Sequence, residues 1–398
     1  MISSTYIYDR LPLLLLFVTG YILYRVIAAA GLPEYFAARA VRFSRGRADL
    51  LLLSLIVVCA GLSMFIPNAV TVLAMIPVIR KLDSELESMT TPLTLSIIYG
   101  ANIGGMGSLI GSPANLILIG ALDFFGVAGR EQITFFNWFL WALPLVAMFL
   151  LLAWGVLRLS IPLNSRSVLL STSTDDCRLG RLQRQGLVVF WFFLGYWMLS
   201  SIMHELSAKY IKLEPLLGVV FTAFFFWLVF GRGLLRFKDL MKGIPRRGIL
   251  LLVLLSVLIV IVRVLEVDQY VAHGFTGVLN FIEQEGQGGY LLYFVTALVV
   301  ILLTEFLSNT VVSTSFFAVI VHVAVAYSLN PLPLMILVSA ASTCAFMTPV
   351  ATPCNSLAVG EMRGMSFKTM LSLGLLLNVL GAVLLSAWIW KVVPLIYR

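Results

Sequence analysis

Four long apolar stretches, at 50–79, 92–121, 290–328 and 332–359, are each interrupted by Pro, Gly, Asn, Ser or Thr. In hydrocarbon every freed backbone N–H and C=O must find a partner, so broken helices survive only where they are buried in protein or line a watery cavity. Taken as one helix, segment 50–79 would be ~45 Å long, too long for a ~30 Å hydrocarbon core. Broken at Pro67, it becomes two arms of a hairpin. Arg42, Arg45 and Arg47 precede it and Arg80 and Lys81 follow it. Basic ends belong on the cytoplasmic side, so the segment reads as a re-entrant hairpin whose arms enter and leave by the same face, with a tilted, kinked crossing as the alternative.

Composition sets the surroundings of these breaks. Of 398 residues, 60% are hydrophobic and 12% charged, against about 25% charged in a soluble chain. A soluble enzyme, a nucleic-acid binder and a disordered chain are excluded. Uninterrupted runs at 11–30, 138–160, 186–203, 215–231, 248–265 and 370–390 approach or reach the ~20 residues of a helical crossing, and lack the alternation of a membrane β-barrel. The expected fold is an all-α polytopic membrane protein with about eight full spans, two re-entrant hairpins and two discontinuous helices. Segment 11–30 reads as a true span rather than a cleaved leader. Cys59, Cys344 and Cys354 lie in apolar segments and read as packing residues, and with Cys177 they show no paired spacing.

The net charge of +8 acts mainly as a topology label. No Lys or Arg occurs between Arg263 and Arg363, so hairpin 290–328 opens to the outside. Both termini are then external, in a plasma (inner) membrane. Residues 1–49 read as a scaffold helix with an interfacial arm at 33–43, and 50–160 as the first half of a transport domain. Polar segment 161–185 reads as a cytoplasmic linker, 186–287 as scaffold helices with a second interfacial arm at 269–282, and 288–398 as the second half; for both arms a connecting loop is the alternative reading.

The two halves repeat. Ser63 and Asn68 lie 241 positions before Thr304 and Asn309, and Gly111-Ser112-Pro113-Ala114-Asn115 lies 240 before Ala351-Thr352-Pro353-Cys354-Asn355. Arg25 and Arg263 recur at a similar distance. Hairpins of opposite orientation make the repeat inverted, the pattern of secondary transporters with sites at the bilayer midplane. Half-helix N-termini suit an anion, and half-helix carbonyls suit Na⁺. The tips carry no Lys, Arg or His, so co-bound cations would neutralise much of an anion's charge. No nucleophile–base pair or metal-ligand spacing points to an enzyme or to another metal.

The stretches Thr304-Glu305-Phe306-Leu307-Ser308-Asn309-Thr310, Thr348 to Asn355, Asn102 to Gly107 and Gly111 to Asn115 resemble the divalent anion:sodium symporter family, the sodium-coupled carriers of dicarboxylates, citrate and sulfate. The resemblance runs in order over about 11–395. It implies one sodium site at Ser63, Asn68 and Gly111, and a second at Thr304, Ser308, Asn309 and Ala351. The anion would lie between Asn68, Ser112, Ser308, Asn309, Thr310, Thr352 and Pro353. It further implies a homodimer, an elevator motion, Na⁺ as coupling ion and no other cofactor. Two departures stand out. The first tip reads Pro67-Asn68-Ala69 in place of Ser-Asn-Thr, and the family's three helices before 11–30 have no counterpart, leaving dimer geometry open.

Several residues keep two readings. Glu305 either supports hairpin backbone or couples to a cation or proton. Arg25 and Arg263 either snorkel and pack or draw anions in. His322 reads as an interior histidine or a proton relay, and Asp123 as a helix cap. A cation/proton antiporter on a related fold, and a degenerate member that no longer transports, remain as alternatives.

Overall fold

A computed structural model describes residues 4–85, 89–161, 179–206, 208–238, 288–326, 329–362 and 364–397. Both hairpins and both interrupted helices are present. Helix α1 (Ser4–Ala29) turns at Gly31 into α2 (Leu32–Phe43). The first hairpin is α3 (Ala48–Ser63) and α4 (Asn68–Glu85), and the first interrupted helix is α5 (Thr90–Gly105) and α6 (Pro113–Phe125). Long helices α7 (Phe135–Arg158), α8 (Arg181–Leu206) and α9 (Ala208–Phe226) follow. A π turn extends α9 to Gly231. The second hairpin is α10 (Gly288–Thr304) and α11 (Asn309–Ala326), and the second interrupted helix is α12 (Pro331–Ala341) and α13 (Pro353–Glu361). Helix α14 (Phe367–Ile396) closes the chain.

Five helices among the described residues are long and apolar enough to cross a membrane: Leu11–Ala29, α7, α8, Leu213–Gly231 and α14. The expected span 248–265, the arm 269–282, Arg263, Cys177 and all but the ends of linker 161–185 lie outside the described residues. The return arm α4 is longer than expected. It runs on through Pro77 to Glu85, so the arms have 16 and 18 residues. Segment 33–43 is helical as part of α2, whose Leu32, Pro33, Ala37 and Ala40 are buried where α2 meets α3 and α4.

The repeat is visible in the packing. Helix α3 lies on α5 as α10 lies on α12, and α5 meets α7 as α12 meets α14. The return arms cross over, with α4 on α13 and α11 on α6. In the first half small residues permit this contact. A Cβ on Gly100 would sit 2.6 Å from the Ile56 carbonyl oxygen, and one on Gly104 2.3 Å from that of Ala60. Both glycines lie one turn apart on α5, the spacing that lets two helix backbones touch in lipid. Helices α7 and α14 join the halves, with Trp141 Nε1 donating to Tyr397 Oη at 3.1 Å and Trp388 Nε1 to the Trp141 carbonyl at 2.9 Å.

Helices α1, α8 and α9 form a second group held by aromatic rings. Tyr196 and Phe221 stack at 3.7 Å, and Trp197 Nε1 donates to Thr19 Oγ1 at 3.2 Å. Two clefts follow the boundary between this group and the repeat. One of about 260 Å³ is walled by Ile27, Phe36, Gly61, Phe65 and Phe190. The other, about 520 Å³, is walled by Arg130, Thr134, Ser201, His204 and Glu214.

Candidate functional site

Each hairpin tip is a short break between two helices, and each return helix opens on an asparagine. In the first, Ser63 ends α3 and its Oγ donates to Asn68 Oδ1 at 2.5 Å. In the second, Thr304 ends α10 and its Oγ1 donates to Asn309 Oδ1 at 2.7 Å and to the Ser342 carbonyl at 2.9 Å. The hydroxyl and the amide oxygen therefore face each other at both tips. Ser63 and Thr304 are fully buried, whereas Asn68 and Asn309 are partly exposed.

The interrupted helices supply two more helix starts. Ser112 caps α6 and accepts from Ala114 N at 3.3 Å. Thr352 caps α13 and accepts from Asn355 N at 3.2 Å. Pro113 and Pro353 follow them, where a missing N–H costs nothing. In the first turn of the helix after each break an asparagine ties the loop. Asn115 Nδ2 donates to the Gly105 and Ser108 carbonyls at 3.2 and 2.8 Å. Asn355 Nδ2 donates to the Ala345 and Thr348 carbonyls at 3.0 and 2.9 Å. The two bonding patterns match residue for residue at the 240 offset.

Gly111 belongs to the first tip. A Cβ there would lie 2.7 Å from the Gly105 oxygen and 3.2 Å from the Met64 oxygen, while one on Gly105 would lie 3.3 Å from Asn68 Oδ1. Ser63, Asn68, Gly105, Gly111 and the Met64 carbonyl thus converge. This is an oxygen-rich environment beside a half-helix C-terminus, of the kind that suits Na⁺. At the second tip Ser308 Oγ accepts from Val311 N at 3.3 Å. Its counterpart Pro67 has no hydroxyl, and there the Pro67 carbonyl alone accepts from Val70 N and Thr71 N. Thr310 and Ala351 are buried, and Ser308 and Pro353 are exposed.

Helices α4 and α13 run from the interior side by side toward one surface, where Arg80 pairs with Glu361. Four helix N-termini, those of α4, α6, α11 and α13, therefore start within the repeat. Their free N–H groups and positive dipole ends favour an anion.

Glu305 is fully buried and saturated. Its carboxylate accepts from the backbone N–H groups of Phe346, Met347 and Thr348 at 2.7, 2.8 and 2.9 Å and from Asn378 Nδ2 at 2.7 Å. Thr348 Oγ1 returns a bond to the Glu305 carbonyl at 2.6 Å. The carboxylate therefore takes the place of water for three N–H groups in the second break. In the first half Met64 stands at the equivalent position. Ser108 Oγ still donates to the Met64 carbonyl, but Trp138, opposite Asn378 in the repeat, donates to the Met106 carbonyl at 3.0 Å.

Two expectations change. His322 is exposed on α11 rather than interior. On that helix Thr310, Ser313 and Thr314 form the buried polar stripe, and His322 lies off it. Asp123 serves less as a cap than as an ion partner, its Oδ1 lying 3.1 Å from Arg130 Nε. Arg25 sits on α1, over the Tyr24 ring at 5.8 Å, within the α1–α8–α9 group. Sequence reasoning also gave no role to Asn102, Gly105, Ser339 or Asn378. The 240 offset could have found Gly105, opposite Ala345.

The comparisons fit this geometry. The profile of the citrate transporter family matches residues 6–334. The chain belongs to that family. It is 27% identical to a sodium-dependent dicarboxylate transporter of Staphylococcus saprophyticus, over 96% of this chain and 76% of that one. The Staphylococcus aureus (strain NCTC 8325 / PS 47) protein of the same name is 26% identical over 99% and 78%. Among solved structures, the Alcanivorax borkumensis YdaH transporter superposes with a TM-score of 0.61 at 15% identity, over 95% of this chain and 85% of that one, a likeness of fold. The divalent anion:sodium symporter resemblance is thereby supported. The protein is an integral membrane transporter and not an enzyme.

Proposed function

We propose that the chain moves a small divalent carboxylate, such as a dicarboxylate, across the membrane together with Na⁺. The observation that carries this is the doubled constellation at the tips. An asparagine opens each return helix, its amide oxygen faces a hydroxyl, and a Ser- or Thr-capped helix start lies in the following break. One cation would take Ser63, Asn68 and Gly111, and a second Thr304, Ser308, Asn309 and Ala351. The anion would lie against Asn68, Ser112, Ser308, Asn309, Thr310, Thr352 and Pro353, facing N–H groups and positive dipole ends. With no basic side chain at the tips, Na⁺ supplies the neutralising charge, which makes binding of the two interdependent. The relatives reported above are named for dicarboxylates, which favours carboxylate over sulfate.

The antiporter alternative loses its carriers. Glu305 is engaged by four donors and His322 stands on an outer surface. An elevator motion of the repeat against the α1–α8–α9 group, in a homodimer with both termini external, completes the proposal. The clefts along that boundary support it. The test is uptake of labelled succinate and citrate into proteoliposomes by wild type, Asn68→Ala and Asn309→Ala. Either variant should elute as wild type and lose at least 90% of uptake. Normal uptake by folded Asn309→Ala would overturn the site.

A further inference from the structure

One buried side chain connects the two half-sites. Asn102, on the last turn of α5, is fully buried. Its Oδ1 accepts from Asn68 Nδ2 at 3.3 Å and from the Cys354 thiol at 3.2 Å. Its Nδ2 donates to the Ala345 carbonyl at 2.8 Å and to Asn355 Oδ1 at 3.1 Å. An amide offers two donors and two acceptor lone pairs, so every polar direction is filled. Turning the amide over would set N–H against N–H at Asn68 and oxygen against oxygen at Ala345. Its orientation is fixed, and it fixes that of Asn68, whose nitrogen points to Asn102 and whose oxygen therefore faces Ser63.

The connection continues to the far break. Asn355 Oδ1 also accepts from Thr352 Oγ1 at 2.8 Å. Ser63, Asn68, Asn102, Asn355 and Thr352 thus form one chain of polar side chains, from the candidate first cation site to a candidate anion ligand. The repeat does not duplicate it. The residue 240 positions after Asn102 is Ser342, which receives Thr304 through its backbone carbonyl. The other bond between interrupted helices, Ser339 Oγ to Asn115 Oδ1 at 2.9 Å, touches neither tip asparagine.

We propose that Asn102 is the positioning residue that makes cation occupancy of the first tip and anion occupancy beside the second break interdependent. This rests on the sodium-coupled reading above. A cation taken by Asn68 Oδ1 holds the Asn68 amide in the orientation that bonds Asn102, and Asn102 in turn steadies Asn355 and the Thr352 cap. Coupling between two sites is reciprocal, so the anion must tighten Na⁺ by the same factor that Na⁺ tightens the anion.

The test measures succinate affinity by thermal stabilisation of the purified protein in NaCl and in KCl. Four proteins are compared: wild type, Asn102→Ser, Asn102→Asp and Ser339→Ala. The expected ratio of affinities is tenfold or more for wild type and for Ser339→Ala, which removes a bond between the halves without touching a tip. It should fall below threefold for Asn102→Ser, which is polar but too short to span the gap. In proteoliposomes Asn102→Ser should raise half-saturating Na⁺ and the succinate KM while maximal uptake stays within threefold, a split that general destabilisation would not give. If Asn102→Ser does not fold, Asn102→Asp carries the test, since it keeps the shape and removes both donors. A folded Asn102 variant with the wild-type ratio overturns the inference alone. A wild type whose succinate affinity ignores Na⁺ overturns the sodium-coupled reading and this inference with it.

Discussion

At the scale of single residues, the tips work by close approach of oxygen atoms. Gly111 has carbonyl oxygens where a Cβ would go, at 2.7 and 3.2 Å. The obstructing atoms are backbone and cannot swing aside. Gly111→Ala should therefore cost about 1–3 kcal/mol through overpacking, and should raise half-saturating Na⁺ several-fold in uptake assays. Ala351 stands at the equivalent place and already carries its methyl group, so Ala351→Gly should change Na⁺ dependence far less. Glu305 predicts a different failure. In Glu305→Gln one side-chain oxygen becomes an NH₂ group facing backbone N–H donors, and each buried donor left unpaired costs about 1–3 kcal/mol. The expected outcome is a lower melting temperature with succinate binding retained where the protein folds. A folded Glu305→Gln variant with unchanged stability and altered proton dependence would restore the coupling role.

At the scale of elements, the structure turns on where helices stop. The breaks at 64–67, 106–112 and 342–352 contain Pro or Gly and were legible as such, whereas 305–308 reads Glu-Phe-Leu-Ser and was legible through its 241 offset from the first tip. Their shared offset revealed Ser63 with Asn68, Thr304 with Asn309, and both caps. Asn102 was hidden for a physical reason. It sits inside a helix that continues past it for three residues, so it neither breaks nor caps anything. Its role appears only when α5 is seen beside both Asn68 and Asn355. His322 was misplaced because its Val and Ala neighbours in the sequence hide that it lies off the buried stripe of Thr310, Ser313 and Thr314 on α11. The contact of α3 with α5 depends on Gly100 and Gly104, and Gly104→Val would drive α3 off the Ala60 carbonyl. Its expected effect is loss of monodisperse protein in size-exclusion chromatography, whereas substitution at Gly155, with open space around its Cβ, should be tolerated.

At the scale of the whole molecule, a repeat with crossed arms meets a separate group of long helices along two clefts. At that boundary the first tip touches the second group directly, with the Phe65 and Phe190 rings edge-to-face at 5.0 Å. If the repeat slides past α8 during transport, Phe65→Cys and Phe190→Cys joined by mercury should stop uptake, and a thiol reductant should restore it. Uptake that continues through a verified cross-link would contradict the sliding motion. The central claim is more basic, that the doubled tip couples a carboxylate to sodium. It is tested most directly by labelled succinate uptake into proteoliposomes with an inward Na⁺ gradient, against an equal K⁺ gradient. Accumulation above equilibrium is expected only with Na⁺, and Asn309→Ala should abolish it. Equal accumulation under both gradients would contradict the claim.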